Sequence, residues 1–174
     1  YSWGLKRLII IDCLILAMLY SIRIIAGAAA AEIPLSFWLL AFSVFLFLSL
    51  AFVKRYAELV VQSQLGREKA HGRGYLTTDA PLVQGLGLAT GYAAVLVLAF
   101  YLNSDAVVKL YSSTEFMWTA VPVMLFWISW VWIKAHRGQM HDDPLIFALR
   151  DRASLIAGVV FTAVLAIASR GWQW

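Results

Sequence analysis

The run Lys54-Arg55-Tyr56-Ala57-Glu58-Leu59 sets two cations beside a carboxylate at helical spacing. Glu58 follows Arg55 by three residues and Lys54 by four, so on a helix all three side chains share one face. Such a trio can grip a pyrophosphate with its cations and offer its carboxylate to a metal ion or a sugar hydroxyl. As a solvated ion pair it contributes little. Asp12 and Arg23 stand inside a long apolar run, where an ionisable side chain is expensive unless paired or solvated. Eleven residues at about 100° each bring both to one helix face, about 16 Å apart along the axis. They are too distant to pair but can line one polar track. Asp12, about a turn inside the run, also admits snorkelling or an interhelical hydrogen bond. Arg23 lies deeper, suited to a phosphate or to a carboxylate on another helix. His136 and His141, five apart with Asp142 and Asp143 beside them, have poor spacing for zinc. GxGxxG, Walker, GxSxG and HExxH patterns are absent.

The elements that must position these residues follow from composition. Of 174 residues 62% are apolar, 14% aromatic and 14% charged, and the mean hydropathy is +0.78. This excludes a disordered chain, a disulfide scaffold and a nucleic-acid module, and it predicts an all-α polytopic membrane bundle. A span needs roughly 20 apolar residues, and five segments come close, at 8–31, 36–53, 82–102, 116–133 and 153–169. Pro34 precedes the second, Pro81 opens the third, and Asp142-Asp143-Pro144 breaks the chain before the fifth. With no repeat or linker in view, residues 1–174 read as a single membrane domain.

Net charge is +4, but its distribution says more than its sum. Lys6, Arg7, Lys54, Arg55, Arg67, Lys69, Arg73, Lys134, Arg137, Arg150 and Arg152 fall on one side of the five spans; only Lys109 and Arg170 fall on the other. The positive-inside bias predicts that the first side is cytoplasmic, with the C-terminal tryptophans at the opposite interface. Glu58, Glu68, Asp79, Asp142, Asp143 and Asp151 lie on that same side. The resulting mixed-charge mouth over an apolar bundle suits an anionic substrate with a lipid tail.

The small residues Ala26 to Ala31 offer a smooth face for a neighbouring helix. Trp118, Phe126, Trp127, Trp130 and Trp132 cover several azimuths, so some of them face lipid. Cys13, the single cysteine, reads as packing, and residues 1–7 lack the features of a signal peptide.

Four elements together resemble the UbiA-type prenyltransferase superfamily. They are Tyr1-Ser2-x-x-Leu5-Lys6-Arg7, Ile22-Arg23-Ile24-Ile25-Ala26-Gly27, Lys54-Arg55-Tyr56-Ala57-Glu58-Leu59 and Ala148-Leu149-Arg150-Asp151-Arg152. The nearest branch is decaprenyl-phosphate phosphoribosyltransferase. The resemblance implies a nine-helix fold of which this chain supplies helices five to nine, as the C-terminal portion of a transferase. The superfamily's first Asp-rich motif would lie upstream of Tyr1, so the chain alone is expected to be incomplete and inactive. Where many members carry a second Asp-rich motif, this chain has Lys54, Arg55 and Glu58, which fits the phosphoribosyl branch.

The implied reaction moves ribose 5-phosphate from phosphoribosyl pyrophosphate to a polyprenyl phosphate with Mg2+, in a bacterial plasma membrane. Lys54, Arg55 and Glu58 would be catalytic, with Glu58 as metal ligand. Tyr1, Lys6, Arg7, Arg23, Arg150, Asp151 and Arg152 would bind substrate, the last three by closing the mouth. The alternatives are prenyl transfer from a diphosphate to an aromatic acceptor, or a non-catalytic membrane subunit.

Overall fold

In the computed structural model, which describes residues 8–32, 36–68, 74–104, 107, 114–140 and 143–170, the apolar runs become helices. These are α1 (Ile11–Ala30), α2 (Phe37–Gln64), α3 (Ala80–Leu102), α4 (Thr114–Met117), α5 (Ala120–His136), α6 (Pro144–Arg150) and α7 (Arg152–Arg170). A 3-10 turn at Thr77–Asp79 leads into α3. α1, α2, α7 and α3 with its leading turn are each long and apolar enough to cross a membrane; α5 is a shorter apolar helix of 17 residues. The chain is an all-α polytopic membrane bundle.

Helices occupy all five expected spans, with two differences. α2 does not stop where its apolar run stops at residue 53 but continues to Gln64. Hydropathy marks where the chain leaves hydrocarbon, whereas the helix ends where the backbone is capped. Gly66 supplies that cap: its φ of 68° belongs to the left-handed region, and Gly66 and Arg67 donate their N–H groups to Ser63 and Gln62. The fourth span is divided into α4 and α5 by a turn at Trp118-Thr119. Pro122 accounts for the division, because its ring would clash with the Trp118 carbonyl inside a continuous helix but is tolerated in the first turn of α5.

The core is organised around the antiparallel pair α2 and α3, with α5 laid across both. Gly87 and Gly91 let the helices approach so closely that a Cβ on Gly87 would stand 2.1 Å from the Trp132 ring and one on Gly91 2.8 Å from Ile128. At this crossing the Ser49 hydroxyl donates to the Gly87 carbonyl at 2.7 Å and accepts from Trp132 Nε1 at 3.2 Å. Polar groups inside the bundle are thereby satisfied where water cannot reach them. Leu50, Phe52, Val53, Val95 and Val131 complete the surrounding core.

The expected packing of Ala26 to Ala31 is not found: among the described residues this run is largely exposed, and nothing lies within 4 Å of a Cβ built on Gly27. The aromatic run of the fourth span divides as its spacing requires. Trp132 is buried, while Trp118 and Phe126 are exposed.

Contacts between helix ends fix the topology. The start of α1, the 54–56 stretch of α2, the segment before α3, the end of α5 and the start of α6 meet toward one end of the bundle. Leu102, Val107, Met117 and Ala168 pack together at the other. The charged stretches predicted for one side therefore converge on one side wherever they are described.

Candidate active site at the charged end

Arg55 sits where α2 emerges from the core, and it is fully enclosed. Its Nη2 lies 2.5 Å from Asp12 Oδ2 on α1, and its Nη1 donates to Glu58 Oε2 one turn along α2. Asp12 is fully buried as well. A buried charge is tolerated only with a partner and further hydrogen bonds, and both are present. Asp12 Oδ1 accepts from the Cys13 N–H at 2.8 Å and from the Tyr75 hydroxyl at 2.9 Å. The same hydroxyl accepts from the Ile10 N–H at 2.7 Å, and the Tyr75 ring lies 5.4 Å from the Arg55 guanidinium carbon. Burial pushes the Tyr75 phenol well above its ordinary pKa, so it remains a donor to Asp12. Neither Nε nor Nη2 of Arg55 makes a hydrogen bond of regular geometry among the described residues, so Nη2 meets Asp12 as an ion pair.

The sequence places Lys54, Arg55 and Glu58 on one face, and the Arg55–Glu58 pair forms. Lys54 turns away from Glu58 and donates instead to Asp143 Oδ2 at 2.7 Å. Asp143 is the N-cap of α6, where its other oxygen accepts from the Leu145 N–H at 3.1 Å. Both partners retain partial exposure, 37% for Lys54 and 24% for Asp143. The polar end thus presents Lys54, Asp143 and Glu58 outward and keeps Arg55 and Asp12 inside.

From Lys54 inward, Leu50, Leu46 and Phe42 follow at four-residue steps on α2, a descent of about 18 Å in which each step turns about 40° around the helix, so Leu46 and Phe42 face a neighbouring side. Leu46 and Phe42 line an apolar groove of about 590 Å³ between α2, α5, α6 and α7, with Trp127, Leu149, Ala157 and Gly158 among its other walls. The kink between α6 and α7 shapes this groove. Asp151 caps α7 by accepting from the Ser154 N–H at 2.9 Å, and the same oxygen accepts from the Ser154 hydroxyl and from Trp130 Nε1.

Among the described residues, the remaining expected cationic site residues are not gathered with this group. Arg23 is exposed on α1, its guanidinium carbon 5.3 Å from the Tyr20 ring, which stacks on Phe47 at 5.2 Å. Phe47 lies seven residues below Lys54 and Arg23 three residues beyond Tyr20, so about 15 Å of helix rise separates Arg23 from Lys54. Arg150 and Arg152 are exposed on either side of the Asp151 break. Tyr1, Lys6, Arg7, His141 and Asp142 lie outside the described residues. His136 accepts or donates at Nδ1 with the Tyr56 hydroxyl, 2.9 Å away. Among the described residues no group of three His, Cys, Asp or Glu side chains is arranged for a metal ion.

Spacing along the chain pairs neither Asp12 with Arg55 nor Asp143 with Lys54. The first has a signal in the sequence: adjacent antiparallel spans put a residue in the first turn of α1 level with one just past the apolar run of α2.

Fold and site define a polytopic α-helical membrane protein with a polar, carboxylate-rich end above an apolar groove. In sequence the chain is similar to the uncharacterized protein y4nM of Sinorhizobium fredii, 33% identical over 169 residues that make up 97% of this chain and 33% of that one. It is 37% identical over 147 residues to the nodulation protein NoeC of Azorhizobium caulinodans, covering 84% of this chain and 48% of NoeC. Decaprenyl-phosphate phosphoribosyltransferase of Mycolicibacterium smegmatis is 29% identical over 154 residues, 87% of this chain and 48% of the enzyme. The chain thus spans about half the length of the last two relatives and a third of the first. No protein-family model and no solved structure gives a significant match.

Proposed function

We propose that this chain belongs to a UbiA-type membrane transferase and supplies part of a site that moves 5-phosphoribose from phosphoribosyl pyrophosphate to a polyprenyl phosphate. The observation that carries this reading is a polar end set above an apolar groove: Lys54 stands at the polar end of the bundle, and Leu46 and Phe42, deeper on the same helix, line the groove on a neighbouring face. That arrangement suits an anionic head on a long apolar tail. The similarity to a decaprenyl-phosphate phosphoribosyltransferase along 87% of the chain supports the same reading.

In the proposed reaction a lipid phosphate oxygen bonds to the anomeric carbon as the bond from that carbon to pyrophosphate breaks. The protein's part is positioning and charge. Lys54 binds a phosphate, exchanging its contact with Asp143 for the substrate. Glu58, at the surface, accepts from ribose hydroxyls or contributes to a metal site. Arg55 is enclosed between two carboxylates, so its part is to hold Glu58 rather than to meet a phosphate. Lys6 and Arg7 are assigned to phosphates and Tyr1 to substrate binding on the family resemblance alone. Arg150, Asp151 and Arg152 close the site from the side of α6 and α7. Arg23, about 15 Å of helix rise from Lys54, stands apart from the reacting groups and takes no part in the step. Mg2+ would neutralise the departing pyrophosphate, with Glu58 as its single protein ligand among the described residues and phosphate oxygens as the others. The charged end faces the cytoplasm in this reading, following the distribution of Lys and Arg.

The test is transfer of label from radioactive phosphoribosyl pyrophosphate to polyprenyl phosphate by the full-length protein in lipid, run beside an isoprenoid diphosphate with an aromatic acceptor. Label in the lipid phosphate supports the proposal. Prenylation of the aromatic, or no transfer in either arm, overturns it.

A further inference from the structure

The geometry points to Asp12 as a positioning residue of this site: through Arg55 it sets the orientation and charge of Glu58. This rests on the reading of Glu58 as the site's surface carboxylate. The three groups form a line from inside to outside. Asp12 and Arg55 are fully buried, whereas the Glu58 side chain is 35% exposed. Arg55 uses one terminal nitrogen on each carboxylate, so its inner end is fixed by Asp12 and its outer end is committed to Glu58. Asp12 is itself immobilised by the Cys13 N–H and the Tyr75 hydroxyl, and Tyr75 is tied to the Ile10 N–H.

The charges give the arrangement its consequence. One guanidinium shared by two carboxylates divides its pull between them, so its hold on Glu58 depends on Asp12. With Asp12 made neutral, the whole of the Arg55 charge falls on Glu58, which is then held more tightly and is less available. Asp12 therefore governs a residue on another helix that it need not touch.

The test is carboxyl footprinting of the full-length protein in lipid nanodiscs, with carbodiimide and glycine ethyl ester read by mass spectrometry, together with turnover. Asp12→Asn keeps the shape and an acceptor for Tyr75. It is expected to lower Glu58 labelling by about threefold or more, with Glu68, Asp79 and Asp143 unchanged, and to lower kcat by about tenfold. Unchanged Glu58 labelling overturns the inference, as does unchanged turnover in a preparation whose wild type is active. If labelling rises at every carboxylate, the variant has lost its fold and Tyr75→Phe decides. Asp12, short of one donor, then draws harder on Arg55 and Glu58 labelling rises; no change there overturns the inference. A wild type that consumes no phosphoribosyl pyrophosphate refutes the proposed reaction, while the footprint still decides whether Asp12 controls Glu58.

Discussion

Lys54 on α2 and Asp143 at the start of α6 meet at 2.7 Å, so the segment that follows α5 is fastened to α2 at the level where α2 leaves the core. Asp143 serves twice, as the partner of Lys54 and as the cap of α6.

Replacing Lys54 separates function from stability. Because both partners are partly exposed, Lys54→Ala is expected to cost no more than about 1 kcal/mol in unfolding, yet to lower turnover by about a hundredfold or more through loss of a phosphate ligand. Thermal denaturation and initial rates on one preparation of the full-length protein check this. Normal rates would remove Lys54 from the site.

The buried pair behaves in the opposite way. Arg55→Met leaves Asp12 as an uncompensated buried charge and is expected to destabilise by about 3 to 5 kcal/mol. Adding Asp12→Leu to that variant is expected to recover most of the loss. A thermal-unfolding double-mutant cycle reads the coupling, and additive effects would mean that the pair is not formed.

Two glycine substitutions test the packing. Gly87→Ala drives a methyl into the Trp132 ring and toward Phe52 Cβ and is expected to cost about 1 to 3 kcal/mol. Gly27→Ala meets nothing within 4 Å in the described structure and is expected to stabilise α1 by up to about 1 kcal/mol. Their melting temperatures should move in opposite directions.

The break between α6 and α7 depends on Asp151. Asp151→Ala removes the cap of α7 and the acceptor for Trp130 Nε1, with an expected cost of about 1 to 2 kcal/mol and a shift in tryptophan emission. Asp151→Asn keeps an acceptor and should change both less.

Much of the architecture is legible in the sequence because its signals are local. Apolar runs locate the spans, Pro81 and Pro144 locate starts, and the three-residue spacing of Arg55 and Glu58 yields their contact. The parts that are not legible depend on distance along the chain. Lys54 can reach Glu58 on its own helix or Asp143 on another, and spacing does not rank the two. Arg55 reads as an anion ligand until Asp12 is seen beside it. The helix beyond residue 53 escapes a hydropathy reading because backbone hydrogen bonding continues among polar side chains until Gly66 interrupts it.

α2 runs without a break from Phe37 to Gln64, so Phe42, Leu46, Lys54 and Glu58 ride on one rod. Tilting or sliding that rod carries the floor of the groove and the polar end together, and the two cannot be adjusted independently from α2. Groove depth can instead be adjusted by side chains, and on the opposite wall Ala157 and Gly158 leave room for added volume without moving α2. Relatives that differ in the size of the molecule they accommodate should vary there while keeping the spacing along α2 fixed.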